Sequence, residues 1–114
     1  MRLNHVALTV SEVERSAVFY GEHFGLDRRV HEDDHLVILA SPDGSLLALN
    51  PGPPGGGSHA IFHFGFQVDT AEEVRCARER FVAAGVPEAE WQEDGPVRVQ
   101  VIDPDGHRVE VFAY

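Results

Sequence analysis

The sequence predicts an α+β fold in which two βαβββ modules form a cupped mixed sheet. The first observation behind this prediction is an internal repeat, because residues 4–11 and 62–69 both read as alternating strands with a histidine at the same place. The second is a pair of matching Pro-Asp-Gly turns, at residues 41–44 and 103–106. The histidines, His5 and His63, lie 58 residues apart and the turns lie 62 apart, which indicates two copies of one module with a small insertion.

Each repeated strand leads into a predicted helix. A capping box, in which a hydroxyl is followed three residues later by a glutamate, occurs at residues 11–14 and again at residues 70–73. Apolar residues then recur at helical spacing to about Phe24 and about Ala84. A glycine follows each of these residues, as expected where a helix ends in a left-handed conformation. One helix per module is therefore predicted.

Further strands follow each helix. Apolar runs predict strands at residues 36–40 and 97–102, and a last strand closes each module after its turn, at residues 46–50 and 108–114. The predicted organisation is a single domain over residues 1–114, with module 1 at about 1–50, a linker at 51–58 and module 2 at about 59–114. The proline- and glycine-rich linker is unsuited to the interior of a helix or strand.

Composition excludes several classes of function. The formal net charge is −10, and a surface this acidic repels phosphate backbones, so nucleic-acid binding is not expected. The sequence has no lysine, which excludes catalysis through a side-chain Schiff base. It has one cysteine, no leader-like start and no apolar run near the roughly 18 residues of a membrane span. We expect a cytoplasmic protein that contacts no membrane.

Three side chains form a candidate metal site. Strand residues alternate between faces, so His5 shares a face with Ala7 and Thr9, and His63 shares one with Gly65 and Gln67. Glu110 is a lone carboxylate in an otherwise apolar and aromatic last strand, where burial requires a partner. Two imidazoles and a carboxylate suit one divalent metal ion (Fe, Mn, Zn or Ni) and leave coordination positions open. We predict that His5, His63 and Glu110 bind this ion.

The sequence also resembles a known superfamily, the vicinal oxygen chelate proteins, which include glyoxalases, bleomycin resistance proteins and extradiol dioxygenases. The resemblance covers essentially the whole chain. It rests on the paired βαβββ modules, the Asn-His-Val start at residues 4–6, the Phe19-Tyr20 pair and the Asp-Pro-Asp-Gly-His-Arg-Val-Glu motif that ends at Glu110. It implies a metal-dependent enzyme that acts on a small oxygen-rich substrate chelated to the metal, by lyase, transferase or dioxygenase chemistry.

The superfamily resemblance narrows the ligand set. Four positions surround the metal in that superfamily, and here three of them carry His5, His63 and Glu110. The fourth aligns with Ala48, which cannot coordinate a metal. This departure argues against glyoxalase I and fits the two-histidine, one-glutamate set of fosfomycin-modifying transferases and extradiol dioxygenases. The chain has Gln92 near the place where the fosfomycin enzymes carry a lysine, and it ends before their arginine.

The resemblance further implies which side chains meet the substrate. Arg98 and Gln100 share a strand face that aligns with the cavity, where Arg98 would pair with an anionic group; the alternative is an arginine exposed at a strand end. Thr9 and Gln67 share the faces of the two histidines and are predicted to bind substrate. Glu110 is the predicted catalytic residue. The predicted apolar walls are Leu36, Ile38 and Phe112.

Three more residues have open assignments. His31 or His35, in the predicted loop before the first cavity strand, is a candidate general base. Trp91 either packs over the opening of the cavity or belongs to the core. Neither assignment follows from spacing alone.

Two other functions compete with the enzyme. An acidic, dimeric drug-binding protein that sequesters basic antibiotics, as bleomycin resistance proteins do, needs no metal and no catalysis. A structural or interaction module is the third reading. Relatives of this size imply a homodimer, and the linker would permit exchange of modules between subunits.

Overall fold

The computed structural model describes residues 3–53 and 63–114. The chain divides into two compact units, Met1–Gly55 and Gly56–Tyr114, and the boundary falls inside the predicted linker. Most of that linker, residues 54–58, lies outside the described residues. Whether the two units act as one domain stays a prediction.

The first unit has βαβββ topology. Its sheet has the order β1-β4-β3-β2, in which β1 runs parallel to β4 and the other neighbours are antiparallel. A parallel pair needs a long crossover, and here α1, β2 and β3 lie between β1 and β4 in the sequence. Its elements are β1 (His5–Val10), α1 (Val13–Phe24), β2 (Arg28–Glu32), β3 (Val37–Ala40) and β4 (Leu46–Pro51).

The second unit repeats the same topology. Its sheet has the order β5-β8-β7-β6, again with one parallel pair, β5 with β8. The prediction of two βαβββ modules is therefore confirmed, each with a four-stranded mixed sheet. Its elements are β5 (His63–Gln67), α2 (Ala71–Ala83), β6 (Glu88–Gln92), β7 (Val97–Ile102) and β8 (Arg108–Ala113).

Each helix covers one face of its own sheet. In the second unit, α2 packs on β7 and β8 through three buried residues, Val74, Ala77 and Phe81. The valines of β7 and β8 that alternate toward this side are buried as well. Because strand side chains alternate, the residues between those valines belong to the opposite face, and that face carries the predicted site.

One of the two predicted capping boxes is wrong. Thr70 caps α2 as predicted: its side chain accepts a hydrogen bond from the Glu73 backbone N–H, while the Glu73 carboxylate accepts one from the Thr70 backbone N–H. In α1 the cap position is Glu12, which makes no side-chain capping bond. The Ser11 hydroxyl instead accepts a hydrogen bond from Arg15 at 2.9 Å, and Glu14 pairs with Arg29 of β2. The two side chains that would have formed the capping box, Ser11 and Glu14, are thus each bonded to an arginine.

Two strands of the predicted βαβββ modules were not located in the sequence, because their residues are mostly polar. Strand β2 is exposed along its whole length, so it lacks the alternation that identifies strands. His31 lies in β2, so its assignment to a loop is wrong, whereas His35 does lie between β2 and β3. Trp91 of β6 pairs in register with the buried Val99, and the Arg78 guanidinium of α2 stacks on its ring at 4.4 Å. Trp91 thus belongs to the helix-covered side and not to the opening.

The predicted ends of the other elements agree with the structure to within a residue or two. Both helices are followed by a glycine at φ 71°, Gly25 and Gly85, a conformation that favours glycine. Pro51, predicted to start the linker, is the last residue of β4. None of the described helices is long and apolar enough to cross a membrane.

Candidate metal and substrate site

A row of four residues crosses the second sheet on the face opposite α2. In register, Gly65 of β5 pairs with Glu110 of β8, Glu110 pairs with Gln100 of β7, and Gln100 pairs with Glu90 of β6. Cross-strand partners lie on the same face and their side chains meet. The sheet therefore sets a carboxylate, an amide and a second carboxylate side by side.

Glu110 is a buried carboxylate with three polar neighbours. Its side chain is 10% exposed, and Gln100 Nε2 donates a hydrogen bond of 2.9 Å to its Oε2. The same oxygen lies 3.7 Å from His63 Nε2 and 3.9 Å from Arg98 Nε. Burial of a carboxylate is costly unless it is hydrogen-bonded and paired, and these neighbours meet that condition in part.

His63 and Glu110 fit a shared divalent ion. Ligand atoms that each lie about 2.1 Å from a metal are at most about 4.2 Å apart. The distance of 3.7 Å between His63 Nε2 and Glu110 Oε2 is within that limit. His63 is 35% exposed, so its ring can turn toward a ligand. Imidazole and carboxylate together suit Fe, Mn, Zn or Ni.

The register also tests the alignment of the two modules. Ala7 of β1 pairs with Ala48 of β4, just as Gly65 pairs with Glu110. Ala48 therefore occupies the position of Glu110 in the first unit, where its methyl group offers no ligand. His5 lies at the start of β1, as His63 does in β5.

The three-ligand set stays a prediction. His63 and Glu110 lie together in the second unit, and His5 belongs to the first. Among residues 3–53 and 63–114, no group of three or more His, Cys, Asp or Glu side chains forms a potential metal cluster.

Arg98 is held by a carboxylate that the sequence analysis missed. Its Nη2 donates a hydrogen bond of 2.6 Å to Glu90 of β6. This hydrogen bond, and the charges of Glu90 and Glu110, raise the pKa of Arg98. The internal repeat could have identified Glu90, because Glu90 occupies the place in β6 that His31 occupies in β2.

Two buried polar atoms beside Glu110 make no hydrogen bond in the described part of the chain. In the part of the chain that the structure describes, Arg98 Nε and Gln100 Oε1 are buried and make no hydrogen bond. Gln100 as a whole is 2% exposed. Buried polar groups in proteins are nearly always hydrogen-bonded, so one unpaired donor and one unpaired acceptor next to a carboxylate indicate a place for a further molecule.

Gly65 makes room for an aromatic wall. A Cβ atom built on Gly65 would lie 3.2 Å from the Glu110 Cβ and 3.3 Å from two ring carbons of Phe112. The Phe112 ring therefore lies against the backbone of Gly65, beside Glu110. Its other neighbour is Tyr114, whose ring it meets edge-on at 5.6 Å. Phe112 is thus placed as an apolar wall, and its contact with substrate stays a prediction.

The remaining predicted residues lie on the corresponding faces. Gln67 is exposed and pairs with Phe112 in register, and Thr9 of the first unit pairs with Asn50. Ile38 shares a row with Ala48 and His31. The His31 ring lies 2.8 Å from the Asp33 carboxylate and is about half exposed. Leu36 lies just before β3.

Comparisons with known proteins agree with this architecture. The model of the Glyoxalase/Bleomycin resistance protein/Dioxygenase superfamily matches residues 2–111. A trivalent organoarsenical cleaving enzyme from Bacillus sp. (strain MD1) is 29% identical, covering 98% of this chain and 73% of the relative. A probable trivalent organoarsenical cleaving enzyme from Bacillus subtilis (strain 168) is 31% identical, covering 98% of this chain and 80% of the relative.

A solved structure shows the same fold. The fosfomycin resistance protein FosX from Listeria monocytogenes, crystallised with Mn(II) and sulfate, superposes with a TM-score of 0.83 at 21% identity. The match covers 98% of this chain and 89% of FosX. Because the family model matches residues 2–111, nearly the whole of this chain, the chain belongs to the Glyoxalase/Bleomycin resistance protein/Dioxygenase superfamily.

Proposed function

We propose that this chain is a divalent-metal-dependent enzyme that acts on a small, oxygen-rich substrate. The observation that carries the proposal is the buried Glu110 carboxylate, whose Oε2 lies 3.7 Å from His63 Nε2. In the proposal His5 is the third ligand. The ion, once bound, supplies a Lewis acid that polarises two adjacent oxygens of the substrate.

In the proposal, the side chains around Glu110 orient its carboxylate, bind the substrate and exclude water. Gln100 Nε2 fixes the direction of the carboxylate by its hydrogen bond of 2.9 Å. The unpaired Gln100 Oε1 accepts a hydrogen bond from a substrate hydroxyl or a water. Phe112 excludes water on one side, which strengthens the electrostatic interactions of the site. Arg98 keeps an unpaired Nε–H for an anionic substrate group.

A substrate held by oxygen fits this chain better than a trivalent arsenical held by thiolates. Two relatives are named as organoarsenical cleaving enzymes, and trivalent arsenic is a soft centre that prefers thiolate ligands. The sequence has one cysteine, Cys76, which is exposed on α2. Helix α2 covers the face of the sheet opposite to Glu110. A Cys76 thiol therefore lies on the wrong side of the sheet to hold a substrate beside Glu110.

Arsenical chemistry has a direct test. Purified wild type and Cys76→Ser are incubated with a trivalent methylarsenical, and the released inorganic arsenic is measured. We expect no release that depends on the Cys76 thiol. Release by the wild type that disappears in Cys76→Ser would contradict the assignment of an oxygen-held substrate.

Metal binding tests the proposal as a whole. The metal-free protein is titrated with Mn(II), Fe(II), Zn(II) and Ni(II), and the free ion is measured by equilibrium dialysis. We expect one ion per chain, and a loss of affinity above about 100-fold in Glu110→Gln and in His63→Ala, since even indirect changes at metal sites cost about 10- to 100-fold. Glu79→Gln on the exposed side of α2 and His35→Ala in the β2–β3 loop are the matched controls.

The same binding measurements can also favour the competing drug-binding function. A wild type that binds no divalent ion, but binds a basic glycopeptide such as bleomycin tightly, would replace the enzyme with a sequestering protein. The net charge of −10 suits such a cationic ligand. The proposal would also be wrong if the metal affinity were the same in the wild type, in Glu110→Gln and in His63→Ala.

A further inference from the structure

Arg98 lies between two carboxylates of the second sheet. In register, Gln100 of β7 stands between Glu90 of β6 and Glu110 of β8, and Arg98 is two residues away on the same face as Gln100. Diagonal neighbours of this kind are within reach of a long side chain. A guanidinium at this position can therefore pair with either carboxylate.

Arg98 forms its hydrogen bond with Glu90. Its Nη2 donates to Glu90 at 2.6 Å, whereas its Nε lies 3.9 Å from Glu110 Oε2 and forms no hydrogen bond there. The pairing leaves Glu110 with Gln100 as its hydrogen-bond donor at 2.9 Å. Glu110 Oε2 thus accepts its hydrogen bond from a neutral amide and not from the guanidinium, which lies 3.9 Å away.

A direct pair between Arg98 and Glu110 would compete with metal binding. Arginine and carboxylate form strong, often bidentate hydrogen bonds, which occupy the oxygens that a metal would use. The positive charge would also repel a divalent ion. A side chain that prevents a hydrogen bond between Arg98 and Glu110 would therefore raise the affinity for metal without being a metal ligand itself.

The first unit lacks this arrangement. Its positions equivalent to Glu110 and Gln100 are Ala48 and Ile38, and the equivalent of Glu90 is His31. Leu36 stands where the repeat places Arg98. Arg98 and Glu90 thus occur in the second unit, which is also the unit that has Glu110.

We propose that Glu90 is a positioning residue that holds Arg98 away from Glu110 and so keeps Glu110 available to a divalent ion. The inference rests on the proposed function, because it concerns the same carboxylate. It assigns to β6, a strand with no predicted ligand, control over the affinity of the site.

A double-mutant cycle tests this role. Mn(II) affinity is measured by equilibrium dialysis for wild type, Glu90→Gln, Arg98→Leu and the double variant, and thermal unfolding checks that each is folded. Glu88→Gln is the matched control, because Glu88 is also in β6 and also pairs with an arginine, Arg78 of α2. We expect Glu90→Gln to weaken Mn(II) binding by about tenfold, as indirect changes at metal sites do, and Glu88→Gln to change it less than about twofold.

The cycle separates positioning from a simple loss of charge. If Glu90 acts through Arg98, Glu90→Gln has little effect in the Arg98→Leu background, within about threefold. An equal loss of affinity in both backgrounds would overturn the inference, since Glu90 would then act by its own charge or by folding.

A second readout needs no metal. The Arg98 Nε–H resonance of metal-free protein shifts, and its hydrogen exchange slows, when this donor gains a carboxylate acceptor. We expect both changes in Glu90→Gln and neither in Glu88→Gln. If the wild type binds none of Mn(II), Fe(II), Zn(II) and Ni(II), the proposed function fails, while an unchanged Arg98 resonance in Glu90→Gln separately overturns the inference.

Discussion

Gln100 and Glu110 face each other across the antiparallel pair β7–β8, and the Gln100 amide donates a hydrogen bond of 2.9 Å to the Glu110 carboxylate. Both residues are buried, Gln100 at 2% and Glu110 at 8% relative exposure of the whole residue. The polar centre of the second unit is thus built into the sheet and not into its loops. Strand register fixes such a pair more rigidly than a loop would, which suits a site that must hold a ligand in one direction.

Replacing Gln100 by leucine should destabilise the protein. The leucine fills a similar volume but leaves Glu110 Oε2 without its donor, and an unsatisfied buried acceptor costs about 1–3 kcal/mol. We expect this loss in the free energy of unfolding by urea. Gln67→Leu, an exposed position on the same face, should change it by less than about 0.5 kcal/mol. Equal values for the two variants would show that the hydrogen bond contributes little.

Two glycine-to-alanine changes should have opposite signs. At Gly65 the new methyl would press on Phe112 and Glu110 at 3.2–3.3 Å, and such crowding costs about 1–3 kcal/mol. At Gly21, inside α1, the nearest atoms would be 3.6 Å away, and alanine favours the helix by about 0.5–1 kcal/mol. Urea unfolding of both variants measures the difference. A stabilised Gly65→Ala would mean that Phe112 moves aside freely.

The unequal helix starts predict unequal effects of losing a hydroxyl. Thr70→Ala removes the hydroxyl oxygen that accepts a capping bond of 3.2 Å from the Glu73 N–H, and it should cost about 1 kcal/mol of unfolding free energy. Ser11 accepts an exposed bond from Arg15 and does not occupy the cap position of α1, which is Glu12, so we expect Ser11→Ala to change it within about 0.5 kcal/mol. A cost for Ser11→Ala as large as that for Thr70→Ala would restore the predicted capping box of α1.

The loop between β2 and β3 should respond to acid. The His35 backbone N–H donates to Asp33 at 2.7 Å, and this bond, followed by the contact with His31, lowers the pKa of the Asp33 carboxyl. A lowered pKa means that the carboxylate stabilises the folded loop above the ordinary value of about 3.9 and loses this effect as the pH falls through the folded value. We expect the His35 amide resonance to titrate with a midpoint below about 3.9, and Asp33→Asn to abolish that step. A midpoint above about 3.9 would contradict the assignment.

The repeat made most of the fold predictable. Two strands with matching histidines, two helices and two Asp-Gly turns recur in one order, and the topology follows once each module must bury one face of its sheet. Alternation along β8 also identified the face of Glu110. The positions of strands β2 and β6 were not predicted, because their residues are mostly polar, and only their pairing with β3 and β7 locates them.

The sequence alone determined the two βαβββ modules and the candidate ligands, because periodicity and chemical type are local properties of the chain. Only the tertiary structure decided which partner each charged group takes. Arg98 pairs with Glu90, Gln100 with Glu110, and Glu14 with Arg29 instead of the start of its own helix. The physical reason is that these bonds join different strands, or a strand and a helix, across 8, 10 and 15 residues of sequence, and sheet register and helix packing set which groups come within reach.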